Sequence, residues 1–113
     1  MDWHESEDKG IPVIHLNGEI DLQWSPDLRK ILQSKLRKKC RGLVLDLGGV
    51  TYIDSSGLAT IVEYLRDAGD FKGKIALANL QGSVRTIFEM VRLNEVIPYF
   101  SSVAEAREAV RKA

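Results

Sequence analysis

The chain has 113 residues, of which 44% are hydrophobic and 28% are charged, a composition typical of one folded domain that needs no metal or disulfide. Sixteen basic and sixteen acidic residues leave no net charge, which argues against a general affinity for nucleic acid. A single cysteine, Cys40, favours a reducing compartment, and no stretch has signal-peptide or membrane-span character. We therefore expect one cytoplasmic domain over residues 1–113 that does not insert into a membrane.

The first predicted elements form a hairpin. Residues 1–9 predict a short edge strand, and Ile11 to Asn17 predict a better strand because Ile11, Val13, Ile14 and Leu16 are strand formers. Lys9-Gly10 between them suits the turn. His15 lies inside the second strand, where a lone histidine is usually a packed or surface side chain. His4 is not spaced to join it in binding a metal.

The next segment contains an acidic turn and a first helix. Gly18 to Asp21, GEID, is expected to leave the strand because glycine permits a bend. Ser25-Pro26 predicts a helix start, with the serine as N-cap and the proline at the first helical position. The expected buried face of this helix consists of Leu28, Ile31, Leu32 and Leu36. The basic run KLRKKCR would then stabilise the negative end of the helix dipole.

The middle of the chain predicts a buried strand followed by an amphipathic helix. Gly42 to Leu47, GLVLDL, is an almost unbroken apolar run, typical of a central strand covered on both faces. Within it, Asp46 is expected to accept hydrogen bonds rather than take part in chemistry. From Val50 to Leu65 the chain ends the strand, makes a short loop and starts the helix. The predicted core face comprises Leu58, Ile61, Val62 and Leu65, with Glu63 and Tyr64 on the exposed side.

Three polar residues, Asp54, Ser55 and Ser56, stand where this helix must begin. All are good N-caps, and a serine there lies beside unpaired backbone N–H groups at the positive end of the helix dipole. Such a position can hold an anion, including a phosphate on the serine itself. Simple capping is the commoner explanation, although one cap does not need three such residues. No nucleophile–base pair, G-x-S-x-G motif or metal-ligand spacing is visible.

The rest of the chain alternates strands and helices. Gly69 is a candidate C-cap, Lys74 to Asn79 predicts a buried strand, and Val96 to Phe100 predicts a short last strand. A third helix opens at Gln81-Gly82-Ser83, and Ser101-Ser102 caps a fourth. Their expected inward faces are Val84, Ile87, Phe88 and Val91, and then Val103, Ala106 and Val110. This order predicts an α/β fold with a mixed, mostly parallel sheet of four to five strands and about four helices.

Three segments, GEID, VLDL and YIDSSGL, resemble the STAS domain, a family that includes bacterial anti-sigma-factor antagonists, and the resemblance spans nearly the whole chain. D-S-[ST]-G-[LI] after a buried strand is a specific signal in this context. The resemblance implies a protein-binding switch rather than an enzyme, with no cofactor or metal. Its expected partners are an anti-sigma factor with serine kinase activity and a serine phosphatase. Phosphorylation of the first serine after the aspartate, here Ser55, would release the partner.

The resemblance also implies a partner-binding surface around the helix start. Its expected members are Asp21, Asp54, Ser55, Ser56, Gly57, Ala59, Thr60 and Glu63. Helix geometry favours one serine pointing outward and the other turned to backbone N–H groups, and leaves open which is which; resemblance selects Ser55. Antagonists usually continue with G-L-G, where this chain has Gly57-Leu58-Ala59. The continuation TIVEYL also resembles the small cytoplasmic STAS subunits of bacterial ABC systems that move phospholipid or solute. Binding to an ABC ATPase is therefore the alternative function.

Overall fold

A computed structural model describes residues 1–111 of the chain. The strands are β1 (Asp2–Asp8), β2 (Ile11–Ile20), β3 (Gly42–Ile53), β4 (Lys74–Ala78) and β5 (Tyr99–Phe100). The helices are α1 (Ser25–Arg37), α2 (Ser55–Ala68), α3 (Gly82–Met90) and α4 (Val103–Arg111), with single 3₁₀ turns at Gly69–Phe71 and Leu93–Glu95. None of these helices is long and apolar enough to cross a membrane.

The strands form one sheet in the order β1-β2-β3-β4-β5. The β1–β2 hairpin is antiparallel, and every other neighbouring pair is parallel. Successive side chains of a strand point to opposite faces of the sheet. In β3, Leu43 and Leu45 belong to the larger core under α1, α2 and α3, whereas Val44 belongs to a smaller core that includes Val110 of α4. The predicted α/β fold with a mixed sheet and four helices is confirmed.

Strand β2 is longer than predicted. The chain was expected to leave the strand at Gly18, but β2 continues to Ile20, which pairs with Ile53 at the end of β3. Gly18 adopts a φ of +96° at a register shift within the strand, a conformation that glycine adopts easily. Burial of Ile20, which is 0% exposed, keeps the segment in the sheet. The acidic turn therefore begins only at Asp21.

Helix α2 buries a different face from the predicted one. Leu58 and Ile61 are buried as expected, but Val62 is 38% exposed and Tyr64 only 1% exposed, so the predictions for Val62 and Tyr64 were wrong. The close approach of Gly57 explains the rotation: a Cβ on this glycine would lie 2.8 Å from the side chains of both Ile20 and Ile53. With residue 57 against the sheet, positions 61, 64 and 68 follow it inward at helical spacing.

Two boundaries near the C-terminal half also differ from the sequence prediction. Helix α3 ends at Met90, and Arg92 adopts a left-handed φ of +61°. The turn leaves Val91 51% exposed, so its predicted place in the core was wrong. The last strand is only Tyr99–Phe100, because the N–H groups of Val96 and Ile97 donate to the carbonyl oxygen of Leu93 and so continue the preceding turn. Helix α4 is capped as predicted, with the Ser102 hydroxyl accepting a hydrogen bond from the Glu105 N–H at 3.2 Å.

Candidate functional site

The site lies where β2 and β3 end side by side. The backbone N–H of Asp54 donates to the carbonyl oxygen of Ile20 at 3.2 Å, so the two strands are still joined at their last residues. Asp21 follows one strand and Asp54 follows the other, and each residue precedes a helix. In parallel sheets this carboxyl-end edge is the usual place for a functional site. Two segments far apart in sequence thus form one surface.

Asp54 is the N-cap of α2. One of its carboxylate oxygens, Oδ1, accepts hydrogen bonds from the N–H of Ser56 at 3.0 Å and the N–H of Gly57 at 3.2 Å. The Ser56 hydroxyl donates to the same oxygen at 2.6 Å. These hydrogen bonds, the one from the Ser56 hydroxyl foremost, hold the pKa of Asp54 below its ordinary value. The carboxylate therefore stays ionised at neutral pH beside Ser55.

The two serines of the motif point in different directions. Ser55 is exposed, whereas Ser56 is partly buried. Besides its bond to Asp54, the Ser56 hydroxyl lies 2.8 Å from the hydroxyl of Ser25 at the start of α1. The inward serine is thus held by a carboxylate and a second hydroxyl rather than by backbone N–H groups. Ser55 is the serine of the pair that faces solvent.

Ser25 does not cap α1, contrary to the sequence prediction. The N-cap is Trp24, and the Ser25 side chain makes no capping hydrogen bond. Asp21 instead caps the turn at residues 22–24 that leads into the helix, since its carboxylate accepts from the N–H groups of Gln23 at 3.0 Å and Trp24 at 3.2 Å. Ser25 is only 3% exposed, and its hydroxyl donates to the Asp21 carbonyl oxygen at 2.8 Å. Freed from capping, Ser25 links the start of α1 to Ser56.

The structure separates the other expected surface residues into two groups. Ala59 is exposed and Glu63 is partly exposed, with Glu63 3.3 Å from Arg29 of α1. Thr60 is only 2% exposed, and its hydroxyl donates to the Ser56 carbonyl oxygen at 2.8 Å. Gly57 is also buried. Both residues fix the position of the helix start from beneath the exposed turn, and a partner contact by Thr60 or Gly57 stays a prediction.

Two exposed apolar side chains lie near the start of α2 and along it. Leu22 is 75% exposed and Val62 is 38% exposed. Ser55, Ala59 and Val62 are spaced at i, i+4 and i+7, so they follow one another along the same face of α2. The backbone of Leu22 helps to hold the pKa of Asp54 below its ordinary value, so Leu22 lies beside the helix start. The sequence pattern missed this feature because it assigned Val62 to the core.

Comparison with known proteins identifies the family of the chain. The family model described as the STAS domain matches residues 4–106. The chain belongs to the STAS family. Its resemblance to the bacterial anti-sigma-factor antagonists is confirmed by relatives with that name. Within residues 1–111 of this STAS domain, no group of three His, Cys, Asp or Glu side chains is arranged to hold a metal ion.

Two relatives illustrate the similarity in sequence. A candidate anti-sigma factor antagonist, BtrV of Bordetella bronchiseptica, is 30% identical over 104 residues, covering 92% of this chain and 86% of the relative. The anti-sigma F factor antagonist of Paenibacillus polymyxa is 25% identical over 99 residues, covering 87% of this chain and 85% of the relative. The similarity therefore extends over nearly the whole length of both proteins.

Solved structures show the same fold. An anti-sigma factor antagonist from Mycobacterium paratuberculosis superposes with a TM-score of 0.88 at 23% identity, covering 97% of this chain and 93% of that one. The anti-sigma factor antagonist SpoIIAA in its unphosphorylated form gives a TM-score of 0.76 at 18% identity, covering 99% and 100%. SpoIIAA, described as a Bacillus cell fate determinant, also has a structure in the phosphorylated form, with a TM-score of 0.74 at 20% identity, covering 97% and 100%.

Proposed function

We propose that this STAS domain, spanning residues 1–113, is a cytoplasmic anti-sigma-factor antagonist controlled by phosphorylation. It binds an anti-sigma factor with serine kinase activity, and it is released when that kinase phosphorylates Ser55. A serine phosphatase then restores the binding form. In this pathway the chain is the substrate of a kinase rather than an enzyme, and it needs no cofactor.

The observation that carries the proposal is the different environment of the two serines. A kinase must reach the hydroxyl that it modifies, and Ser55 is exposed on the first turn of α2. Ser56 is engaged by Asp54 and lies against Ser25, so its modification would require the helix start to open. The known phosphorylated form of SpoIIAA, a similarly folded antagonist, gives this reasoning a precedent within the fold.

The surroundings of Ser55 supply both a binding surface and a means of release. Exposed apolar side chains such as Leu22 and Val62 are the kind that a protein partner covers. A phosphate on Ser55 adds about one and a half to two negative charges next to the ionised Asp54. Repulsion and a strongly hydrated anion in the middle of the interface would weaken binding. The free protein keeps its fold, because a negative charge at a helix N-terminus is favourable.

The test uses partner capture from native lysate with five baits: wild type, Ser55→Ala, Ser55→Asp, Ser56→Asp and Ser83→Asp. Ser83 is the matched control, since it is an exposed serine in the first turn of another helix, α3. We expect wild type, Ser55→Ala and Ser83→Asp to capture the same anti-sigma factor. Ser55→Asp should bind at least several-fold more weakly by titration calorimetry with the purified partner.

Addition of ATP to the captured complex provides the second readout. Wild type should gain one phosphate, located at Ser55 by mass spectrometry, and should then dissociate. Ser55→Ala should stay bound because it loses the acceptor hydroxyl and little of the surface. If Ser56→Asp weakens binding and Ser55→Asp does not, the switch residue is wrongly assigned. Capture of an ABC ATPase, with no effect of either substitution, would replace this function by that of a transporter subunit.

A further inference from the structure

A second polar cluster lies on the opposite face of the sheet from α1 and α2. His15 follows Val13 by two residues in β2, and Asp46 follows Val44 by two residues in β3. Val13 and Val44 both pack in the smaller core beneath α4, so His15 and Asp46 face the same side of the sheet. The two residues are direct neighbours in the parallel register of β2 and β3. Neither belongs to the surface around Ser55.

Three side chains from three adjacent strands form a hydrogen-bonded chain in this cluster. Nδ1 of His15 lies 2.7 Å from Oδ2 of Asp46, and Nε2 of His15 lies 2.8 Å from the hydroxyl oxygen of Ser6 on β1. The other carboxylate oxygen, Oδ1 of Asp46, accepts from the Asn79 side-chain amide at 3.0 Å and from the Gly48 N–H at 3.0 Å. Asp46 is therefore held in place from two sides while it contacts the imidazole.

The protonation states follow from the hydrogen bonds around Asp46. Burial acts to raise the pKa of Asp46, but the hydrogen bonds from Asn79, Gly48 and His15 outweigh it, so the pKa lies below its ordinary value. An ionised carboxylate can only accept hydrogen bonds. Nδ1 of His15 must then carry the proton that is shared with Asp46. In the neutral ring this leaves a lone pair on Nε2, and the Ser6 hydroxyl donates to it.

Of the three hydrogen-bonded side chains, Ser6 is the one most accessible to solvent. Ser6 is exposed, whereas the side chains of His15 and Asp46 are 23% and 19% exposed. The ring of His4 stacks on the ring of His15, with centroids 4.5 Å apart and planes 13° from parallel. This stacking covers one face of the base and limits its rotation. A small molecule can therefore reach the Ser6 hydroxyl while the imidazole keeps its orientation.

We propose that Ser6 is a nucleophile activated by His15, and that it accepts acyl groups from small activated carboxylic esters. The arrangement matches the nucleophile, base and orienting carboxylate of acyl-transfer sites on unrelated folds. Each residue comes from a different strand, and their order in sequence gives no local motif. The activity is independent of the function proposed for Ser55, since the two sites share no residue.

Ester cleavage at Ser6 takes place in two stages, acylation of the serine and its hydrolysis. The Ser6 oxygen forms a bond to the ester carbonyl carbon while its proton moves to Nε2 of His15. The bond from that carbon to the leaving oxygen then breaks, and the leaving group takes the electron pair and the proton from His15. Water then attacks the acyl carbon while His15 takes its proton, the bond from that carbon to the Ser6 oxygen breaks, and the Ser6 oxygen recovers the proton from His15 as the carboxylic acid departs. Asp46 is a positioning residue, because it contacts the imidazole of His15 and neither Ser6 nor the ester.

An alkyl fluorophosphonate is the probe for the nucleophile, because it forms an O–P bond to an activated serine and releases fluoride. The measurement is the rate of labelling at Ser6 in the purified full chain, with the site located by peptide mass spectrometry. Ser83 is again the internal control, as an exposed serine whose hydroxyl faces a backbone carbonyl rather than an imidazole. General-base assistance is typically worth about 10²–10⁴-fold, so Ser6 should be labelled at least about tenfold faster than Ser83 even at an open site.

Three substitutions complete the test. Ser6→Ala should abolish labelling of β1. His15→Gln should reduce the rate at which Ser6 is labelled to the rate for Ser83. Asp46→Asn keeps the side-chain shape but removes the carboxylate, and it should slow labelling while circular dichroism stays unchanged. The same order of rates should hold for release of nitrophenol from p-nitrophenyl acetate, with acetyl recovered on Ser6. Labelling of Ser6 no faster than of Ser83, or a folded His15→Gln or Asp46→Asn protein labelled as fast as wild type, would overturn the proposal.

Discussion

At the scale of single residues, Tyr64 shows how burial and polarity conflict. Its ring fills the core under α2, but its hydroxyl has no hydrogen-bond partner among the residues that the structure describes. Burial, with a smaller contribution from Cys40, raises the pKa of Tyr64. A buried polar atom without a partner loses its hydration and gains nothing in return. The apolar ring therefore stabilises the core, and the hydroxyl offsets part of that gain.

Replacement of Tyr64 by Phe tests this directly. Because it removes only the hydroxyl, we expect the free energy of unfolding to stay unchanged or to rise by up to about 1 kcal/mol. The measurement is urea denaturation followed by circular dichroism. Tyr52→Phe is the matched control, since Tyr52 is 44% exposed and its hydroxyl can reach water. A loss of more than about 1 kcal/mol in Tyr64→Phe would mean that the hydroxyl has a partner, such as a buried water.

At the scale of elements, the orientation of α2 determines what the site presents. Gly57 brings the first turn of α2 against β2 and β3, and this contact sets the rotation of the whole helix. Ile61 then points to the sheet, while Val62 joins Ala59 and Ser55 on the exposed face. If α2 were rotated by one residue about its axis, the buried face and the exposed face would be interchanged. The same contact that packs the helix therefore also exposes the apolar surface beside the serine.

Two adjacent alanine substitutions distinguish the faces of α2. Ile61→Ala should lower the free energy of unfolding by about 2–5 kcal/mol, because it removes buried methylene groups and leaves a cavity. Val62→Ala should change stability by no more than about 0.5 kcal/mol, since its side chain is half exposed. If Val62 lies in the proposed interface, the same substitution should weaken binding to the captured partner. Equal losses of stability in both variants would contradict the rotation described for the helix.

At the scale of the whole molecule, ion pairs connect the edge strand β1 to both helical layers. Lys35 of α1 is only 4% exposed, and its ammonium lies 2.7 Å from each carboxylate oxygen of Glu5. On the other face, Arg107 of α4 lies 3.0 Å from Asp8 at the end of the same strand. Strand β1 is otherwise exposed along most of its length. These two pairs therefore add contacts from both helical layers to the strand that carries Ser6, which its pairing with β2 holds in the sheet.

Removing the two partners of the Lys35–Glu5 pair should have unequal effects. Glu5→Gln leaves a buried ammonium without a counter-charge, and we expect a loss of about 1–3 kcal/mol, less than for a fully buried pair because Glu5 keeps contact with solvent. Lys35→Met replaces the buried stem with an apolar chain and should be nearly neutral. The comparison is made from the denaturation midpoints of the two variants. Asp67→Asn is the control, because Asp67 belongs to an exposed ion pair, and it should change the free energy of unfolding by no more than about 0.5 kcal/mol. A larger loss in Lys35→Met than in Glu5→Gln would contradict this explanation.

The sequence by itself determined the order of the elements, the mixed sheet and the place of the serine motif. Apolar periodicity and turn residues act over a few positions, so GLVLDL, the glycines and the caps around Ser102 indicate their own local structure. The D-S-S-G match selected Ser55, whose phosphorylation remains a prediction.

Only the tertiary structure decided which side chains meet. Tyr64 and Val62 exchanged places because Gly57 fits against two strands, and helical spacing alone does not fix that rotation. Ser25 is not the N-cap of α1 because Trp24 occupies that position, and the Ser25 hydroxyl instead contacts Ser56, 31 positions away in the sequence. Ser6, His15 and Asp46 became neighbours through strand pairing, which joins residues by register rather than by distance along the chain. Contacts of this kind depend on how elements pack against each other, and patterns among neighbouring residues in one sequence do not determine that packing.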